Sequence, residues 1–374
     1  MGKIKIGINT LPLFDTIAGA ERYTQNIIRS LARLDKDNEY ILFLNRYNKN
    51  SYGVDQNNFK NIVCNFPKNK LVRVLYEQLV LPKLAEREKV DILFSTCNIA
   101  PVSAKCALLT MMFDLHWLIY PQFFDGVKNF YLKKMLEATA RRSAKILTLS
   151  ESSKKDIVNI FNITPEKISI TYCGSENVNL KNCRGEGPFA PIDKYILFVG
   201  QFHKRKNIPT LIKAFELAKK RLNIPHKLYL VGRPGDDYEN IVKLREKSAC
   251  VGDIKIIGYI LDKELALVYN NADIFIYPSL YEGFGLPVIE AMALGAPVIA
   301  SNVSSIPEAG GDGALYFNPQ NADELADKME ILIKDDAKRR ELIAKGLKQA
   351  EKFTWDEVGR RTLKAIYEVA SVKR

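Results

Sequence analysis

Tyr277-Pro-Ser-Leu-Tyr-Glu-Gly-Phe-Gly-Leu-Pro-Val-Ile-Glu-Ala-Met-Ala-Leu-Gly-Ala-Pro-Val-Ile-Ala300 is the stretch that decides the fold. An apolar strand at 274–278 enters a glycine turn, passes into a helical segment and returns as a second apolar strand at 297–300. Strand, turn, helix, strand is the repeating unit of a parallel α/β sheet. In such open sheets a ligand sits at the carboxyl ends of the strands. Two carboxylates, Glu282 and Glu290, lie eight positions apart around the turn. Gly283 and Gly285 lack a Cβ, so backbone can approach a ligand closely. Pro287 suits the first turn of a helix, where its missing N–H costs nothing. The amides of Phe284, Gly285 and Leu286 then point out of the helix N-terminus and, with its dipole, offer a site for a diphosphate. Glu290, about one turn in, is placed to accept hydrogen bonds from the vicinal hydroxyls of a ribose. Glu282, ahead of the turn, is placed at the mouth of a cleft, towards a second polyol such as a transferred sugar.

Working outward, the same alternation fills the chain of 374 residues, a length that suits two domains. Strands are expected at 4–9, 40–44, 61–64, 92–95, 107–110, 146–150 and 168–171, then at 195–200, 227–232, 254–257, 274–278, 297–300 and 314–317. The polar, Gly- and Pro-containing stretch between Cys173 and Lys194 reads as a linker. No apolar run approaches the ~18 residues that span a bilayer. The start at Met1 reads as a first strand, not a signal peptide. Six scattered cysteines without a C-x-x-C pair suit free thiols in a reducing cytoplasm.

The net charge of +12 is uneven. Residues 1–185 hold 27 Lys and Arg against 17 Asp and Glu, and the remainder 28 against 26. The surplus in the first half suits an anionic partner: phospholipid head groups, a lipid diphosphate or nucleic acid. Two segments concentrate it: the amphipathic run 68–89, and a second run of Lys128, Lys133, Lys134, Arg141 and Arg142. One or both are expected to face an anionic membrane or a lipid-diphosphate acceptor.

A further glycine, Gly200, ends a strand and is followed by the basic cluster Lys204-Arg205-Lys206. Arg205 and Lys206 suit neutralisation of charge on a departing nucleoside diphosphate. Asp35-Lys36-Asp37 spells D-x-D but precedes a strand and reads as a turn, not a metal site. No G-x-G-x-x-G follows the first strand, which argues against a dinucleotide enzyme.

Ser279 to Glu290 resembles the E-x7-E signature of the retaining glycosyltransferases of family 4. The strand, glycine and basic loop from Tyr195 to Asn207, the segment Ser304 to Glu308 and Trp355 resemble further elements of that family. The resemblance implies the GT-B fold: two Rossmann-like domains facing each other across a cleft. They are an acceptor-binding domain at 1–180 and a nucleotide-sugar-binding domain at 190–354, with a terminal helix at 355–374 crossing back. It implies that Gly19 lies near the donor diphosphate and that Gly258, Tyr259 and Ile260 pass the nucleobase. Relatives carry His where this chain has Phe113, while Asp114 is kept and His116 follows two residues later. Asp114 and His116 are therefore the expected catalytic residues beside the reacting sugar, with Glu282, Arg205 and Lys206 on the donor side.

The expected activity is metal-independent transfer of a sugar from GDP-mannose or a UDP-sugar to a glycan or lipid-diphosphate acceptor, with retention, in surface-polysaccharide assembly. No cofactor and no nucleic acid are expected. A cytoplasmic protein with peripheral contact at the plasma membrane follows. A nucleotide-sugar epimerase of the same fold and a non-catalytic nucleotide or RNA binder remain as alternatives.

Overall fold

The computed structural model describes residues 2–14, 19–123, 126–175 and 194–372. The chain divides into two compact units, Met1–Cys173 with Trp355–Arg374, and Gly174–Thr354. Most of the expected linker, Ala18, Cys183 and the side chain of Lys128 lie outside the described residues.

In the first unit the order is β1 (Lys5–Asn9), α1 (Gly19–Leu34), β2 (Glu39–Asn45), β3 (Phe59–Cys64), α2 (Lys70–Leu79), α3 (Leu81–Arg87) and β4 (Ile92–Ser95). It continues with β5 (Ala107–Met111), α4 (His116–Ile119), α5 (Gly126–Arg142), β6 (Lys145–Thr148), α6 (Glu151–Phe161) and β7 (Ile168–Ile170). The second unit runs β8 (Tyr195–Val199), α7 (Ile208–Leu222), β9 (Lys227–Val231), α8 (Tyr238–Lys247), β10 (Ile254–Gly258), α9 (Asp262–Asn270) and β11 (Ile274–Tyr277). It closes with α10 (Leu286–Ala293), β12 (Val298–Ser301), α11 (Ile306–Gly310), β13 (Ala314–Phe317), α12 (Ala322–Lys334) and α13 (Asp336–Ala350). A last helix, α14 (Trp355–Val372), belongs to the first unit.

Each expected strand is present, and every pairing between neighbours is parallel. The sheets read β3-β2-β1-β4-β5-β6-β7 and β10-β9-β8-β11-β12-β13. Both reverse direction once, at β1/β4 and at β8/β11. Such a switch point opens a crevice at the carboxyl ends of its two strands. The strands are continuous apolar runs because helices cover both faces. Phe198, Leu230 and Ile276 pack with Phe215 of α7 and Met329 of α12. Phe43, Leu93 and Leu108 form a core on one face of the first sheet.

The terminal helix returns to the first unit, as the resemblance implied. Ser30 Oγ of α1 donates to the Trp355 carbonyl at 2.8 Å, and Tyr23 meets the Trp355 ring edge-on at 5.7 Å. Gly359 is required here: a Cβ on it would meet Ser30 Oγ at 2.4 Å. Lys145 Nζ of β6 pairs with Glu368 at 2.5 Å.

Candidate active site

Three glycines stand at the ends of the adjacent strands β8, β9 and β10, on one side of the second unit's switch point. Gly200 N donates to Val231 O at 2.9 Å, and Gly232 N donates to Gly258 O at 2.8 Å. A Cβ on Gly232 would stand 1.9 Å from the Gly200 carbonyl, so only glycine permits that approach. Gly258 has φ +79 and open space where a Cβ would be. Beyond it, Ile260 is buried and Tyr259 is exposed, with the Arg233 guanidinium 4.1 Å from the centre of its ring.

After β8 the chain makes one 3-10 turn, Lys204–Lys206, and Asn207 takes a left-handed conformation at φ 55 before α7 begins. Asn207 Nδ2 donates to Pro278 O at 3.1 Å and Pro319 O at 2.7 Å, which ties this loop to the end of β11. Leu280 N donates to Arg205 O at 2.8 Å and strengthens that tie. The two loops that flank the switch point are therefore one hydrogen-bonded piece.

Within it lies the main charge cluster of the site. Lys206 Nζ is 2.6 Å from Glu282 Oε1, and Arg205 Nη1 is 2.6 Å from Glu282 Oε2. Lys206 Nζ also donates to the Tyr277 hydroxyl at 2.6 Å. Glu282 is only 7% exposed. This corrects its expected place at the mouth of a cleft: both carboxylate oxygens are turned inward by the two cations. Burial alone would raise its pKa, but Arg205 and Lys206 outweigh that and hold it down at about 2. The Tyr277 phenol, buried beside Glu282, is pushed far up by burial and by that negative charge. Glu282 is therefore held ionised near neutral pH.

The backbone of Glu282 is fixed by serines that the expected site did not include. Glu282 N donates to Ser304 Oγ at 3.0 Å, and Ser305 Oγ donates to Glu282 O at 2.7 Å. Ser301 Oγ donates to Ser279 O at 2.6 Å. Three hydroxyls around the end of β12 thus clamp the loop after β11.

Gly285 caps α10 with φ 112, and Pro287 falls in the helix's first turn. Phe284 is buried, its ring edge-on to Phe353 at 5.2 Å. Glu290 is buried within α10, with Tyr269 Oη 3.4 Å from Oε2. Gly283, Gly285, Leu286 and Glu290 thus sit on one turn-to-helix junction with Glu282 ahead of it.

In the first unit, Asp114 and His116 follow β5 and touch: His116 Nδ1 is 2.5 Å from Asp114 Oδ1, and His116 N donates to the same oxygen at 3.2 Å. His116 opens α4. Asp114 thus fixes the Nδ1 side of the His116 ring. Phe113 packs edge-on against Tyr23 at 5.3 Å, next to Trp355. An apolar ring is therefore what that position accommodates. Gly19 opens α1, and a Cβ there would meet nothing within 4 Å.

The first unit's own switch point holds a group absent from the expected site. Glu77 of α2 is 2% exposed, and Asn9 Nδ2 at the end of β1 donates to it at 2.6 Å. Arg73 Nη1 lies 3.4 Å from its other oxygen. Burial raises its pKa to about 7, against the opposing pull of Arg73 and Asn9. Cys97, after β4, is pushed up to about 12 by burial and then by Glu77. Among the described residues, no group of three His, Cys, Asp or Glu is placed to hold a metal ion.

Two family profiles match: Glycosyl transferases group 1 over residues 182–349, and Glycosyltransferase Family 4 over residues 17–176. The O-antigen chain mannosyltransferase B of Escherichia coli is 32% identical over 267 residues, covering 69% of each chain. Among solved structures, sucrose-phosphate synthase from Thermosynechococcus elongatus superposes with a TM-score of 0.76 at 21% identity, covering 99% of this chain and 100% of that one. The Anabaena protein HepE in complex with UDP-glucose superposes with 0.74 at 16% identity, covering 98% and 100%. The chain, with its two parallel α/β units, has the GT-B fold.

Proposed function

We propose that this chain, which belongs to glycosyltransferase family 4, moves a hexosyl unit from a nucleotide sugar to a hydroxyl of a lipid-linked glycan in polysaccharide synthesis. The O-antigen mannosyltransferase relative favours GDP-mannose as donor, with UDP-sugars as the alternative. The observation that carries the reading is the buried Glu282–Arg205–Lys206 cluster at the second switch point.

Arg205 and Lys206 neutralise the diphosphate as the bond from the anomeric carbon to its oxygen breaks. Oriented charges in a water-poor site stabilise such a developing anion most. Glu282 holds both cations in place beforehand, so little reorganisation is needed during reaction. The junction amides from Gly283 to Leu286 bind the same phosphates, and Glu290 binds the ribose. The acceptor oxygen bonds the anomeric carbon on the face the diphosphate leaves, and its proton passes to a diphosphate oxygen. Configuration is retained, and neutralisation falls to Arg205 and Lys206 rather than a metal. Asp114 and His116 handle the acceptor or the sugar from the first unit. The basic first half suits an anionic lipid surface that carries such an acceptor.

The test is a mass-spectrometric screen of nucleotide sugars against lipid-diphosphate sugars, with and without chelator. One donor should give a product with retained anomeric configuration, chelator should not reduce it, and Glu282→Gln should cut its rate by about 10²–10³-fold. An inverted product, or full activity of that variant, refutes the reading.

A further inference from the structure

A surface helix normally turns its apolar stripe to the core and is seated by that burial. α2 is seated otherwise. Leu71, Leu75 and Leu79, at four-residue spacing, are exposed, and the helix's one buried side chain is Glu77. Tyr76, half-buried with its ring 5.1 Å from that of Phe66, gives the helix an apolar tie. The other ties are polar. Asn9 Oδ1 accepts from Leu11 N at 3.1 Å, which turns Nδ2 to Glu77 as a donor at 2.6 Å. Gln78 Nε2 donates to Ala100 O at 3.1 Å.

Behind α2 the chain breaks at Val80, which ends one helix and opens the next. Pro82 has no N–H to give the Gln78 carbonyl one turn back, and Ser103 Oγ donates to that carbonyl instead, at 2.9 Å. Leu81 and Ala85 bury α3 in the core of the first unit. α3 is therefore fixed, and α2 is hinged to it at Val80. The seated position of α2 carries two costs. Ser95 stands in register with Asn9 across β1/β4, and its buried Oγ has no hydrogen-bond partner. Glu77 is taken out of water with one amide and one loose guanidinium, Arg73 at 3.4 Å. The Cys97 thiol also faces it from the segment after β4. Burial, then Glu77, push that thiol up to about 12 against the pull of Arg73, with Glu21 of α1 adding to the rise, so it stays neutral. Of these groups Glu77 is the one that changes charge near neutrality.

We propose that α2 is a pH-released flap over the first unit's switch point, seated while Glu77 carries its proton and swinging out about Val80 when that proton leaves for solvent. Ionised Glu77 then reaches water with Arg73 beside it on the same helix. The leucines do not oppose the movement, because they are exposed before it begins. Asn9 and Ser95 at the strand ends become open to water or to a ligand, and Ser95 Oγ gains the partner it lacks. The crevice at β1/β4 is thus closed in acid and opened towards neutral and alkaline pH. Unseating has the linkage sign of a raised carboxyl. The seat is strongest below about 4.5, weakens as pH rises through about 7, and changes no further above that, where Glu77 is ionised whether α2 is seated or not. The inference goes beyond the transferase reading and stands without it, since the flap needs no substrate to move.

The experiment is hydrogen–deuterium exchange of the full chain at stepped pH, read as protection factors so that the intrinsic pH dependence of exchange is divided out. Peptides covering α2 should lose protection about ten-fold per pH unit between about 4.5 and about 7, the slope for release of one proton, and then level off. Peptides covering β1 should stay better protected than α2 by roughly ten-fold or more at every pH, which marks a local release. Glu77→Gln should hold α2 protected across the range. Arg73→Met removes the cation that favours the ionised form, so the decline should extend to higher pH. Gln78→Ala loosens the seat at every pH and should leave the slope unchanged, which separates the switch from a structural tie. Protection of wild-type α2 that does not change with pH overturns the proposal, as does the wild-type slope persisting in Glu77→Gln. Exchange of α2 and β1 together, which is global unfolding, overturns it as well.

Discussion

Each sheet has a switch point with a buried glutamate, and the two are built in opposite ways. At β8/β11, Glu282 has a cation on each oxygen at 2.6 Å, and Gly200 follows the end of β8. At β1/β4, Glu77 has an amide at 2.6 Å and a guanidinium at 3.4 Å, and the strand ends carry Asn9 and Ser95. Both carboxyls are desolvated, yet one sits at about 2 and the other at about 7. Burial sets the penalty and close cations decide whether it is overcome. The first arrangement is a fixed charge pattern suited to a phosphate. The second is a group that changes protonation near neutrality inside the acceptor-side unit.

The sharpest way to break this contrast is Glu282→Gln. It should lower kcat/KM by about 10²–10³-fold, the scale of losing an oriented electrostatic element. Steady-state kinetics with the identified donor reads it. Lys206→Met comes next. It leaves a buried carboxylate with one cation and should cost about 3–5 kcal/mol, measured by urea unfolding. A stability unchanged by that substitution would show that the fixed-charge account of this site is wrong.

Third is pH. Glu77 binds its proton more tightly folded than unfolded, so its contribution is full below about 4.5 and is lost as pH rises through about 7. Glu77→Gln should remove that slope, making the variant progressively more stable than wild type across the window, by roughly 3 kcal/mol at its top. Glu282 has the opposite sign: its contribution is full above about 4.5 and is lost as pH falls towards about 2. Thermal midpoints of wild type and variant at stepped pH compare the two. The smallest effect is Gly232→Ala. Its Cβ collides with the Gly200 carbonyl, and forcing the strand ends apart should cost about 1–3 kcal/mol and weaken nucleotide binding, read by thermal shift with and without donor.

Much of this was legible beforehand because the relevant signals are local. The strands are short apolar runs between turns, and Gly285, Pro287 and Glu290 carry their geometry in their spacing. What was hidden depends on partners far along the chain. Glu282 looks exposed in sequence because Arg205 and Lys206 lie more than seventy residues away. Ser304 and Ser305 act through backbone hydrogen bonds that no pattern encodes. Periodicity found the stripe on α2 but not its direction, because an apolar face towards the core and one towards water have the same period. Asn9 and Gln78 settle that direction.

The return of α14 to α1 has a consequence for how the protein is made. The first unit is interrupted in sequence by the whole of the second, Gly174–Thr354. On a ribosome adding ~5–20 residues per second, that insert takes on the order of 10–40 s to appear. For that interval the seven-strand sheet exists without its closing helix, and the face of α1 that receives Trp355 and Gly359 lacks its cover. The inserted unit, contiguous in the chain, is synthesised in full before that helix appears. The half of the molecule that is born first is therefore completed last.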